Sequence, residues 1–207
     1  MNENQKIRSF ISMIKQNIII TLIFTILGAI VFGGYAKHKK TTTYTSSTNL
    51  VIGHNLDRSN YKNSTSLSDI NMMHTYRAQV NDPMVMGRVY KTLPSKMKKN
   101  YSENSLSDAV NAKVEDNSIV MTLSAKTKDA KQSVEIANST ARAFKHEFKY
   151  MNPTKVEVKQ LSPAKLSNVT SKTSPSLKKY VVLGAALGIL VGMLIAFGIT
   201  SYQKMTK

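Results

Sequence analysis

The chain has no cysteine and no tryptophan, five prolines, and 12 acidic residues against 29 lysines and arginines. Without cysteine there are no disulfides, no thiolate metal sites and no cysteine nucleophile. Four histidines, His38, His54, His74 and His146, are scattered with no HxH or HxxxH spacing, and the few acids are mostly isolated. His146 and Glu147 are adjacent on an expected helix, where neighbours point to different faces. The glycines at 33, 34, 53 and 87 lack the GxxxxGK[ST] context of a phosphate loop. These absences argue against catalysis and give no reason to expect a cofactor or a metal.

What is present is apolar length. Residues 16–36 and 180–203 carry no charged side chain, and lysines flank both stretches. As α-helix they measure about 31 and 36 Å, enough for a hydrocarbon core about 30 Å thick. A helix satisfies its own backbone hydrogen bonds, so both can sit in lipid. The expected organisation is therefore an N-terminal segment 1–15, a first span 16–36, a domain 37–179, a second span 180–203 and a tail 204–207. A signal peptide cleaved after Ala36 is the competing reading of the first stretch. Its apolar run exceeds a signal peptide's core of about 7–15 residues, so a retained anchor is expected.

Net charge is +17, and 24 Lys/Arg against 11 Asp/Glu between 37 and 179 give that stretch +13. Such a surface attracts polyanions, including anionic membrane lipids and acidic glycans. No nucleic-acid recognition motif accompanies it, and nucleic acid is not expected as a partner. Charge does not orient the hairpin. Lys6, Arg8 and Lys15 precede the first span while Lys37, Lys39 and Lys40 follow it, and Lys178 and Lys179 oppose Lys204 and Lys207.

The middle reads as α+β, a small sheet of three or four strands backed by helices. A strand is expected over 41–52, rich in β-branched residues, followed by an Asn/Ser-rich loop over 53–68. A helix is expected over 69–80, with Ile70, Met73, Arg77 and Val80 at steps of three and four residues. The next has Asp82 as N-cap, Pro83 at its first position, and a face of Val85, Val89 and Leu93. A basic connector spans 95–104, and residues 105–108 suggest a short capped helix. Alternation around Asp116-Asn117 predicts a β-hairpin. The longest helix, 128–151 with Thr127 as cap, presents Ala130, Val134, Ala137, Ala141, Phe144 and Phe148 on one face, and Asn152-Pro153 stops it. A last strand over 155–161 is expected to pair with the strand after the first span and close the domain base.

Two surfaces invite contacts. Gly184, Gly188 and Gly192 form a tandem GxxxG in the second span, which favours close helix packing and homo-oligomers. Lys96, Lys98 and Lys99, with the helix face Lys131, Arg142, Lys145 and Lys149, are candidates for binding an acidic or phosphate-linked glycan.

Several short motifs recur in a specific order: Asp69-Ile70-Asn71, Thr75-Tyr76, Asn81-Asp82-Pro83-Met84-Val85, Ile136-Ala137-Asn138-Ser139, Ser162-Pro163-Ala164 and Ser174-Pro175, leading into a Gly-rich span. In that layout the chain resembles the bacterial chain-length determinant (Wzz-type) polysaccharide co-polymerases. The nearer form is the short Gram-positive one, the transmembrane modulator of a capsule or exopolysaccharide tyrosine kinase. The resemblance covers nearly the whole chain. It implies a domain outside the cell membrane, both termini in the cytoplasm and ring-like homo-oligomers. It also implies control of polymer length with a flippase and polymerase and a separate cytoplasmic tyrosine kinase. The alternative role is an adaptor whose main task is to activate that kinase.

Two features depart from the family's pattern. Of its several pre-membrane prolines, Pro163 and Pro175 remain. The tail is short, leaving Ser201, Tyr202, Gln203 and Lys204 as candidate kinase contacts, with residues 1–15 as a second segment able to share them.

Overall fold

The computed structural model describes residues 3–55, 61–152 and 155–205. They fall into two compact units, Met1–Thr41 with Thr173–Lys207, and Thr42–Lys172.

The first unit is a pair of antiparallel helices, α1 (Glu3–His38) and α7 (Leu177–Met205). Their apolar parts, Asn17–His38 and Leu177–Gln203, are 22 and 27 residues long, about 33 and 40 Å of helix. Ile18, Ile19, Leu22, Ile23, Val182 and Leu194 stand exposed around the pair. Large side chains turned outward on helices of this length are what lipid covers, so these are the two passes of a membrane hairpin. Lipid supplies no hydrophobic drive between helices, and close backbone approach does the work instead. A Cβ at Gly184 would lie 2.3 Å from the Gly28 carbonyl oxygen, and one at Gly188 2.3 Å from that of Phe24.

The second unit is a five-stranded sheet covered by helices. Strands β1 (Thr41–His54), β2 (Val110–Val114), β3 (Val120–Thr127) and β4 (Val156–Ser162) run in the order β2-β3-β1-β4, and β5 (Thr170–Ser174) also pairs with β1. β1 is antiparallel to β3, with Leu50 opposite Met121, and to β4, with Ile52 opposite Val158. The expected pairing of first and last apolar strands is therefore present. The hairpin around Asp116-Asn117 is also present, with Asn117 at φ 57°, where asparagine is tolerated. Alternate residues of β1, namely Ser46, Thr48, Leu50 and Ile52, are buried, as the period of two requires. Helices α2 (Lys62–Gln79), α3 (Pro83–Thr92), α4 (Ser95–Lys98), α5 (Glu103–Ala109) and α6 (Ala130–Met151) complete the unit. The α6 face buries Ala137, Ala141, Phe144 and Phe148, and Tyr76 meets Phe148 edge-on at 5.0 Å. Removing either phenylalanine ring would cost about 3–5 kcal/mol.

Several expectations need correction. The helix expected at 69 begins at Lys62, inside the Asn/Ser-rich stretch read as loop; residues 56–60 of that loop lie outside the described residues. Its buried positions are Asp69, Met73 and Tyr76, with Val80 buried at its C-cap, so of the residues at those steps Ile70 and Arg77 lie off the inward stripe. The basic connector over 95–104 contains α4, which buries Met97, and the start of α5. The cap of α5 is Ser102, in a reciprocal box with Ser105. α6 is capped by Asp129, which accepts from the Gln132 N–H at 2.9 Å, whereas the Thr127 hydroxyl donates to the Asp129 carbonyl. The sheet gains a strand, β5, whose TSKTS sequence is exposed throughout and carries no alternation to betray it. Asp82 does cap α3, accepting from the Met84 N–H at 2.8 Å. Pro153, read as a helix stop, lies outside the described residues.

Candidate functional site

The exposed side of α6 presents Lys131, Arg142, Lys145 and Lys149. Their separations of 11, 3 and 4 residues are close to whole turns, so they form one stripe about 27 Å long. Arg142 is tied down, donating to Ser139 Oγ at 2.9 Å and to Glu135 at 3.4 Å. Lys96 and Lys99 are exposed at α4, a separate element. Lys98 is half-buried: its ammonium donates to the Lys91 carbonyl at 2.8 Å and sits 5.9 Å from the centre of the Tyr90 ring. The structure thus unites four of the seven basic candidates and leaves three on another helix.

The stripe ends at a cavity of 920 Å³ lined by Lys149 and Lys155, His54, Ser64, Ser68 and Glu157. Two ammonium groups beside hydroxyls suit an anionic, hydroxyl-rich ligand. Sequence alone does not single out Lys155 or His54, because the end of α6, the interior strand β1 and the outer strand β4 meet only on folding.

One wall of that cavity is fixed from below. Asp69 has only 4% of its side chain exposed, and its carboxylate accepts from the His54 backbone N–H at 2.8 Å and from His54 Nδ1 at 2.7 Å. A Cβ at Gly53 would sit 3.0 Å from Asp69 Oδ2, so the carboxylate's approach depends on that glycine. Burial, with the nearby Asp69 charge, pushes the Tyr76 phenol above its ordinary pKa. Within the Asp69-Ile70-Asn71 motif, the structural duty of Asp69 is this clamp.

The other quoted motifs also meet. Asn138 Oδ1 accepts from the Ala164 N–H at 2.8 Å and its amide donates to the Ala164 carbonyl at 3.0 Å. Gln160 reaches Thr48 at 2.9 Å, and Thr48 donates to the Ser162 carbonyl at 2.6 Å. The exposed Pro163 is held between these points, while Pro175 follows a cis peptide. Glu147, buried on α6, pairs with Arg88 of α3, and His146 Nδ1 is 3.3 Å away. The Arg88 hydrogen bond holds the Glu147 carboxyl below the usual carboxylate range. Among the described residues no three acidic or histidine side chains gather to hold a metal.

The stripe Gly184, Gly188 and Gly192, read as a face between copies, is buried against α1 of the same chain. Ser201, Tyr202 and Gln203 lie in the last turns of α7; the Lys204 side chain is outside the described residues.

No family model matches the chain. The capsular polysaccharide biosynthesis protein CapA of Staphylococcus aureus (strain COL) is 24% identical over 198 residues, covering 95% of this chain and 86% of that protein. The probable capsular polysaccharide biosynthesis protein YwqC of Bacillus subtilis (strain 168) is 22% identical over 199 residues, 95% of this chain and 78% of that one. The chain is a distant homologue of these proteins. The uncharacterized protein YveK of Bacillus subtilis (strain 168) matches similarly, 24% identical over 199 residues, 95% of this chain and 82% of its own length. The alignment with these CapA-like chains takes in both helices and the domain between them, and it bears out the resemblance read from the sequence.

Proposed function

We propose that this chain is a non-enzymatic membrane scaffold in capsular or exopolysaccharide biosynthesis, acting as a polysaccharide co-polymerase that sets polymer length and supports export. The observation that carries the reading is the near full-length match to capsular polysaccharide biosynthesis proteins in a chain whose two apolar helices bracket one domain. In this reading both termini are cytoplasmic and the segment 37–179 is extracellular, between spans 16–36 and 180–203. The chain forms homo-oligomers beside a polymerase and flippase and works with a cytoplasmic tyrosine kinase through Ser201, Tyr202, Gln203 and Lys204.

The α6 stripe and its cavity would hold an acidic glycan near the growing end. The glycine stripe serves the hairpin within each chain, so contacts between copies would use other surfaces. Deleting the gene should change capsule amount or shift its size distribution on gel filtration, and the wild-type gene should restore both. An unchanged amount and size would overturn the proposal. Removing residues 201–207 tests the kinase contact: lost phosphorylation of the kinase with the oligomer intact would favour the adaptor role.

A further inference from the structure

One end of the helix pair carries Lys37, Lys39 and Lys40 from the α1 side and Lys178 and Lys179 on α7, all exposed. No acidic residue occurs in residues 36–41 or 173–180, and among the described residues none of the five makes an ion pair. Just inside them the Tyr35 and Tyr180 rings stack at 6.0 Å. Tyrosines gather where hydrocarbon gives way to headgroups, so the lysines lie at headgroup depth.

Below Lys178 and Lys179 the surface of α7 is hollowed. Val182, Leu183 and Ala186 line a shallow apolar groove of 480 Å³ with the two lysines at its mouth. The groove lies well around the helix from the glycine stripe, and Val182 and Leu183 are 68% and 49% exposed, so α1 does not cover it. Cations directly above an apolar trough are complementary to an anionic amphiphile. A soluble anion would meet the lysines and leave the trough bare.

We propose that Lys178, Lys179 and this groove form a binding site for an anionic phosphoglyceride, with the phosphate between the ammonium groups and an acyl chain along Val182, Leu183 and Ala186. Lys37, Lys39 and Lys40 add attraction without defining the site. Each lysine near an anionic surface contributes about fivefold in affinity. The inference is independent of the capsule reading and of which way the hairpin faces.

The full chain, purified in detergent and offered equal dioleoylphosphatidylglycerol and dioleoylphosphatidylcholine, tests this by native mass spectrometry. The anionic lipid should be retained at least tenfold over the zwitterionic one. The double variant Lys178→Gln with Lys179→Gln should lose that preference. Ala186→Phe, which fills the groove and leaves the charge, should reduce retention several-fold. A disulfide between Tyr35→Cys and Tyr180→Cys in the same backgrounds verifies that the helices still pair. Inorganic phosphate at millimolar concentration should leave the lipid bound. Displacement by phosphate, equal retention of both lipids, or wild-type retention in Ala186→Phe would overturn the site. So would a disulfide between two copies bearing Ala186→Cys, which would mean that a second chain covers the groove.

Discussion

Asn138 grips Ala164 from both sides, accepting from its N–H at 2.8 Å and donating to its carbonyl at 3.0 Å. A side-chain amide takes the place of a neighbouring strand, pinning the chain where it leaves β4. Ala164 is 6% exposed, so its backbone groups would have little access to water if released.

Asn138→Ala should therefore cost about 1–3 kcal/mol, the cost of leaving buried polar groups unpaired. Asn138→Asp keeps the acceptor and loses the donor, and should fall between. Urea unfolding of the full chain in detergent, followed by tyrosine circular dichroism, measures both. Amide exchange at Ala164 should accelerate in Asn138→Ala before global unfolding.

The Asp69 carboxylate serves two donors of His54 from a buried position. Asp69→Ala should destabilise by about 1–3 kcal/mol. Gly53→Ala should destabilise in the same direction, because its Cβ at 3.0 Å from Asp69 Oδ2 displaces the acceptor. A melting temperature unchanged in both variants would remove the clamp from the account.

Acid stability should depend on Glu147. Its folded pKa is lowered below the ordinary 4.5, first by the Arg88 hydrogen bond. A depressed carboxylate contributes stability that is fully present above the unfolded pKa and disappears as pH falls through the folded one. The stability gap between wild type and Glu147→Gln should be widest near pH 7 and close below the ordinary carboxylate range. Arg88 is 39% exposed, so added salt should narrow the gap. Unfolding midpoints from pH 7 to pH 3 check the sign.

Gly188→Ile should separate the helix pair, because even a Cβ there meets the Phe24 carbonyl at 2.3 Å and the Thr25 Cα at 2.8 Å. The chain has no native cysteine, so a Tyr35→Cys and Tyr180→Cys pair reports the packing cleanly. The disulfide should form in the parent and be largely lost in the isoleucine variant.

Charge reversal at Lys149 and Lys155 should weaken retention on an acidic polysaccharide column, with elution moving to lower salt. Reversal at Lys96 on α4 and Lys99 at its C-cap should shift it less. Equal shifts would mean that net charge alone governs binding.

Periodicity and apolar length were written into the chain. The two spans need only a run of uncharged residues. β1 is marked by its β-branched residues, and the β2–β3 hairpin and the α6 face repeat at 2 and about 3.6 residues, which are properties of the local backbone. Asp82 and Pro83 likewise mark a helix start with local chemistry. The polar elements were illegible for the same reason. The first turns of α2 and the whole of β5 have no apolar rhythm, and they form because β1 and the core offer them partners.

What the tertiary structure decided is which distant groups meet. Asn138 finds Ala164, Asp69 finds His54, and Lys149 comes to share a cavity with His54 through chain separations that no local pattern encodes. The glycines show the division most clearly. Their spacing determined that some backbone would approach closely, and folding chose α1 of the same chain, because a tethered helix meets that face at far higher effective concentration than a separate copy.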